Sequence, residues 1–201
     1  MNYFLRFGAY LWHPLLMPLL GTIIYYLITP RYVEPFLWQS KLIAIGIVTI
    51  LIPIVSYFLM KNLRLVNSIK LEQVWERKIP LMLQSVLILA VIKFLFDPYI
   101  TPELYYFFVG VLFSTLTALL MVFFQSKASL HQMGISGLTF FVIALSVHFQ
   151  VNMLVWIALF LFANGWVASS RMHSWSHTPI ELLLGFLIGI IPQIIMLNFW
   201  L

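Results

Sequence analysis

Cysteine is absent from the 201 residues. That excludes a disulfide framework, a thiolate metal site and a thiol nucleophile. Charge is scarce as well: Asp, Glu, Lys and Arg make up 8% of the chain, against about 25% in soluble domains. Extended polar stretches are also missing, which leaves no room for a separate soluble domain. Hydrophobic residues reach 63% and the mean hydropathy is +1.02, so an ordinary soluble fold is excluded. At about 20 residues per span, a chain of this length holds six or seven spans. The expected fold is therefore all-α, a polytopic transmembrane helix bundle forming a single integral membrane domain over residues 1–201.

A formal net charge of +5 raises the question of nucleic acid. The basic residues lie mostly in one loop beside apolar spans, so anionic lipid headgroups of a bilayer are the simpler partner and no nucleic acid is expected. The apolar N-terminal region contains Pro14 and Pro18 and runs on to the length of a span. It reads as a first helix and not as a cleavable signal.

The expected spans are Leu11 to Thr29, Leu42 to Met60 with a kink at Pro53, Leu81 to Phe96, Glu103 to Phe124, Ile135 to Phe149, Met153 to Ala168, and Ile180 to Phe199. Pro30 to Lys41 reads as a short polar and aromatic loop. His13, before Pro14, reads as an interfacial group. Lys61 to Pro80 is the most charged stretch and reads chiefly as a solvated loop, with Lys70, Arg77 and Lys78 at its end able to meet phosphate oxygens. Asn164 with Gly165, and Gly185 with Gly189, read as helix-packing positions.

Two polar islands interrupt the later spans. The first, Gln125 to Leu138, holds Lys127, His131 and Ser136, and its Gly134 and Gly137 permit close backbone approach at the expected start of the fifth span. The second, Ser169 to Glu181, places one arginine, two histidines, four serines and a carboxylate between apolar runs. Thr178-Pro179-Ile180-Glu181 matches a capping box: Thr as N-cap, Pro at the first helical position, Glu reaching back. His177 then precedes a helix N-terminus, with Glu181 four residues on and within its reach. Such a terminus suits phosphate, and Arg171 offers the same anion a planar, permanently charged fork.

Ser170-Arg171, five residues, His177, three residues, Glu181 resembles the third signature of the type 2 phosphatidic acid phosphatase superfamily, with Glu in place of the usual Asp. Ile135-Ser136-Gly137-Leu138 is similar in placement to its second signature, with Leu138 where that family has histidine. Lys70, six residues, Arg77-Lys78-Ile79-Pro80 is loosely similar to its first signature, with the proline displaced. The resemblance spans residues 70–201. It implies that His177 attacks phosphorus, that Glu181 orients the imidazole, and that Arg171 holds phosphate. Ser136, Gly137, Ser170, Lys127, Arg77 and Lys70 would surround the phosphate, and no metal or other cofactor is needed. In the family the second-signature histidine protonates the leaving group; with Leu138 there, His131 or His173 is the candidate replacement.

What the resemblance implies is a hydrolase for a membrane lipid or isoprenoid phosphate, namely phosphatidic acid, phosphatidylglycerol phosphate or a polyprenyl diphosphate. The alternative is a relative that binds such a lipid without turnover. A transporter or channel subunit ranks below both, since span centres hold almost no charge. Counting spans puts all three polar loops on one side, with eight of the eleven basic residues. The charge distribution makes that side cytoplasmic, whereas the resemblance implies the outer face of a bacterial inner membrane.

Overall fold

The computed structural model describes residues 3–66 and 73–201. Among them no strand occurs, and seven helical segments are long and apolar enough to cross a membrane: Tyr3–Ile28, Pro35–Asn62, Val74–Leu95, Pro102–Phe123, Leu130–Phe149, Leu154–His173 and Pro179–Leu197. The protein is an all-α polytopic bundle and an integral membrane protein. In lipid this follows from the backbone, whose N–H and C=O groups find partners within each helix.

The first segment is broken. Helix α1 (Tyr3–Leu11) ends before His13-Pro14, a single 3-10 turn follows at Pro14–Leu16, and α2 covers Met17–Ile28. Pro14 has no N–H to continue the ladder, and His13 caps the new turn, its Nδ1 accepting from Leu15 N at 3.4 Å. Helix therefore begins well before the expected Leu11. The second segment starts at Pro35 as α3 (Pro35–Gly46), so half of the expected Pro30 to Lys41 loop is helical. A π-helical turn at Ile47–Leu51 then leads into α4 (Ile52–Asn62). The wider turn lies immediately before Pro53, where the chain must absorb a missing N–H.

Helix α5 (Lys78–Leu95) is preceded by a 3-10 turn, Val74–Arg77. The end of the charged stretch is thus not a solvated loop: Glu76 and Arg77 are buried. Lys70 lies outside the described residues. Helices α6 (Pro102–Phe123), α7 (Leu130–Phe149), α8 (Leu154–His173) and α9 (Pro179–Leu197) follow with short connections. Between α7 and α8, Gln150 closes the helix in a left-handed conformation.

Helix α7 is the centre, packed on α9, α8, α2 and α6. Of its apolar window 56% is buried, against 11% for the α3–α4 segment, which therefore lies at the lipid-facing edge. The closest approach is between α7 and α9. A Cβ at Gly189 would meet Ser136 Oγ and the Met133 carbonyl, and one at Gly185 would meet the Ser129 carbonyl. These two glycines let the backbones touch. Gly165 faces open space and has no such role, whereas Asn164 joins α8 to α7 by donating to Thr139 Oγ1 (2.7 Å) and accepting from Gln132 Nε2 (2.9 Å).

Candidate functional site

The ends of four helices meet on one side of the bundle, and each brings part of the site. At the start of α9 the capping box forms as its spacing predicts: Thr178 Oγ1 accepts from Glu181 N (3.3 Å) and Glu181 Oε2 accepts from Thr178 N (3.2 Å). The same Oε2 lies 2.8 Å from His177 Nδ1. A carboxylate only accepts, so the imidazole proton sits on Nδ1 and Nε2 keeps its lone pair. The His177 side chain is 2% exposed. Burial, and then the guanidiniums of Arg77 and Arg171, push its pKa down to about 4 against the pull of Glu181. His177 is therefore neutral at pH 7.

The segment before α7 ties these ends together. Ser129 N donates to Glu181 O (3.0 Å), and Arg77 Nη1 donates to Ala128 O (3.0 Å). The start of α5, the start of α7 and the start of α9 are thereby fixed to one another. Helix α8 continues through Arg171, so this arginine stands on the last helical turn and not in a loop. Its Nε is buried with no hydrogen-bond partner.

A cavity of about 470 Å³ opens among these ends, and His177, Arg171, Arg77, His131 and Gly137 line it. Leu138 lines it too, at the position where the resemblance expects histidine. His131, on the first turn of α7, interacts electrostatically with Arg171, His13 and His177. His173 is exposed and lies off the cavity, so it does not replace the missing group.

Several expected phosphate ligands are placed otherwise. Helix α7 begins at Leu130 and not Ile135, which puts Ser136 and Gly137 inside the helix, where their N–H groups belong to its ladder. Ser136 Oγ turns away to Phe186 O (3.1 Å) and Met133 O (3.2 Å), so it serves α7–α9 packing. Ser170 is buried but off the cavity wall. Lys127 Nζ lies behind the pair, 3.8 Å from Glu181 Oε2 and 3.5 Å from Ser176 O, and not in the cavity.

One site residue escaped sequence reasoning. His13 lines the cavity with its ring 5.1 Å from that of His131, edge to face. Its Nδ1 accepts from Leu15 N, so its proton is on Nε2. The available signal was the His-Pro step inside an apolar run, which breaks a span and leaves a polar group at the break. Among the described residues no group of three or more His, Asp or Glu side chains converges as a metal site.

Fold and site together define a class: an integral membrane helix bundle with a cationic, histidine-lined cavity at one end. Set against family models, curated proteins and solved structures, the chain matches none.

Proposed function

We propose that the protein is a membrane lipid-phosphate phosphatase with His177 as nucleophile. The observation that carries this reading is the 2.8 Å His177–Glu181 pair, neutral at the imidazole, on a cavity wall shared with Arg171 and Arg77. Glu181 holds the proton on Nδ1 and directs the Nε2 lone pair to phosphorus. The P–N bond forms as the bond to the lipid oxygen breaks, and that oxygen takes a proton that His131, with His13 against it, relays from water. Arg171 and Arg77 balance charge on the equatorial oxygens, where phosphoryl transfer needs it. Water then attacks phosphorus, the P–N bond breaks, and inorganic phosphate leaves. The lipid would be phosphatidic acid, phosphatidylglycerol phosphate or a polyprenyl phosphate or diphosphate, and the membrane a bacterial inner membrane.

Leu138 on the cavity wall favours a second reading, a relative that binds the lipid without turnover. One experiment separates the two: phosphate release by purified protein from those lipids, with His177→Ala alongside. Release that the substitution abolishes supports the phosphatase. Absence of release, with retained binding of a phosphonate analogue, selects the second reading.

A further inference from the structure

The turn between α8 and α9, which carries His177, also carries the most exposed large apolar side chain among the described residues. Trp175 is 95% exposed, and its φ of 53° lies in the left-handed region. Trp175 N donates to Met172 O (3.0 Å) and Ser176 N to Arg171 O (3.1 Å), the two bonds that end a helix through a left-handed residue. Glycine usually takes that place, because a Cβ makes the conformation unfavourable, most of all for a bulky side chain. The other described non-glycine residues of positive φ are Arg64, Gln125 and Gln150, all polar and readily hydrated at a helix end. Trp175 is apolar, and at 95% exposure it gains no packing within the protein to offset the strain. The offset must come from outside the chain.

Its surroundings indicate what the ring meets. The turn joins two segments long and apolar enough to cross the membrane, so it stands at the bilayer surface. Trp75, in the 3-10 turn before α5, and Phe123 and Phe124, at the end of α6, are exposed at the same end of the bundle. Cations stand among these rings. Lys78 Nζ lies 4.8 Å from the Phe123 ring centre, and Lys127 Nζ is 3.5 Å from Ser176 O, next to Trp175. Exposed rings interspersed with basic groups suit the headgroup layer, where ring bodies reach acyl chains and cations meet lipid phosphates.

We propose that the α8–α9 turn is a membrane-interface anchor: Trp175 inserts into the headgroup layer of the bilayer and holds His177 at the height of the lipid phosphates. Two residues span at most about 7 Å. The turn between them is stiffened by Ser174 Oγ, which lies 2.9 Å from Ser176 Oγ and donates to Arg171 O (3.2 Å). A phosphate carried on a lipid of that leaflet then reaches the cavity by moving within the plane of the bilayer, while a soluble phosphate ester gains nothing from the anchor. That consequence rests on the reading of the cavity as a phosphate site; the insertion of Trp175 does not.

The test uses the full chain in nanodiscs of phosphatidylcholine and phosphatidylglycerol. Because the chain has no cysteine, Trp175→Cys carries a single nitroxide label. That label should meet oxygen, which concentrates in lipid, at least about threefold more often relative to a water-soluble nickel chelate than the same label does free in water. A ratio equal to that of the free label overturns the proposal. Trp175→Gly separates the anchor from the turn, since it restores the residue that adopts this backbone freely. If the bilayer holds the turn, exchange of the amide hydrogens from Ser174 to Thr178 should quicken at least about tenfold in that variant. Unchanged or slower exchange, as strain relief alone would give, overturns the proposal. Trp175→Gly should also weaken a two-chain phosphatidate phosphonate about three- to tenfold and leave soluble butyl phosphonate unchanged; equal loss for both overturns the hold on the site. None of these measurements involves turnover, so the two readings fail separately. A shielded, steady turn with no hydrolysis of any lipid phosphate sinks the phosphatase and keeps the anchor. Hydrolysis by a protein whose turn is open to water sinks the anchor and keeps the phosphatase.

Discussion

The molecule holds two buried charged clusters, one at each end of the bundle, and they differ in how far their polar atoms are satisfied. At one end Glu103, on the first turn of α6, is completely buried. Its Oε2 accepts from Arg31 Nη1 (2.7 Å) and Tyr25 Oη (3.2 Å), and its Oε1 lies 3.0 Å from His148 Nε2. The hydrogen bond to Glu103 raises the Arg31 pKa above its ordinary value. The cluster is closed, and it joins the α2–α3 connection, α6 and α7. At the other end Arg171 Nε is buried without a partner, and two guanidiniums and three imidazoles face a cavity. A carboxylate with all its partners in place is a fastening. The unmatched donor on the cavity wall is the group that the proposed phosphate would meet.

The largest expected effects exchange the roles of the two ends. His177→Ala should reduce phosphate release at least about ten-thousandfold while leaving the thermal unfolding midpoint nearly unchanged. Glu103→Ala should do the reverse. It leaves buried partners unpaired and should cost about 3–5 kcal/mol of stability, read from unfolding in detergent, with turnover per folded molecule retained. A Glu103→Ala protein that is stable but inactive would break the comparison.

Arg171→Lys keeps the charge and loses the fork, so phosphonate affinity should fall about ten- to a hundredfold. Wild-type affinity in that variant would mean that the unmatched Nε is not a ligand group.

The smallest effects concern pH. The acid limb of kcat/KM reports the free enzyme's base. It should lie well below 6.5, because His177 stays neutral down to about 4. Glu181→Gln removes the carboxylate that pulls this value up, so the limb should move lower still. Stability follows the same group. Between about 4 and 6.5 the unfolded chain holds a proton on His177 that the folded one does not. Stability should therefore fall as pH drops through that window and be independent of His177 above it. Melting curves of the wild-type protein and His177→Ala should diverge only there.

Much of this was legible before folding, but unevenly. Helices were found wherever apolar runs reached span length, and their starts were misjudged where polar residues joined them. Leu130 to Gly134 looked like loop because of its Gln, His and Gly, yet the N-cap Ser129, accepting from Gln132 N at 3.4 Å, starts α7 there. That five-residue shift turned Ser136 from a phosphate donor into a packing group. The stretch that holds Arg77 reads as a solvated loop because it is rich in charge, while the Arg77 side chain, itself a candidate for phosphate, is directed inward to Ala128 O. His13 looked interfacial because nothing near it in sequence is chemical; its partner ring is 118 residues away, on His131.

Membrane embedding follows from hydropathy, and the His177–Glu181 pair from a capping box. Both are local: helix geometry sets which groups meet when they stand three or four residues apart. Packing alone brings Arg77, Arg171, His13 and His131 onto a cavity shared with that pair. Those meetings depend on how closely helix backbones approach, and here Gly185 and Gly189 bring α9 onto α7. Such packing joins residues that no spacing along the chain relates.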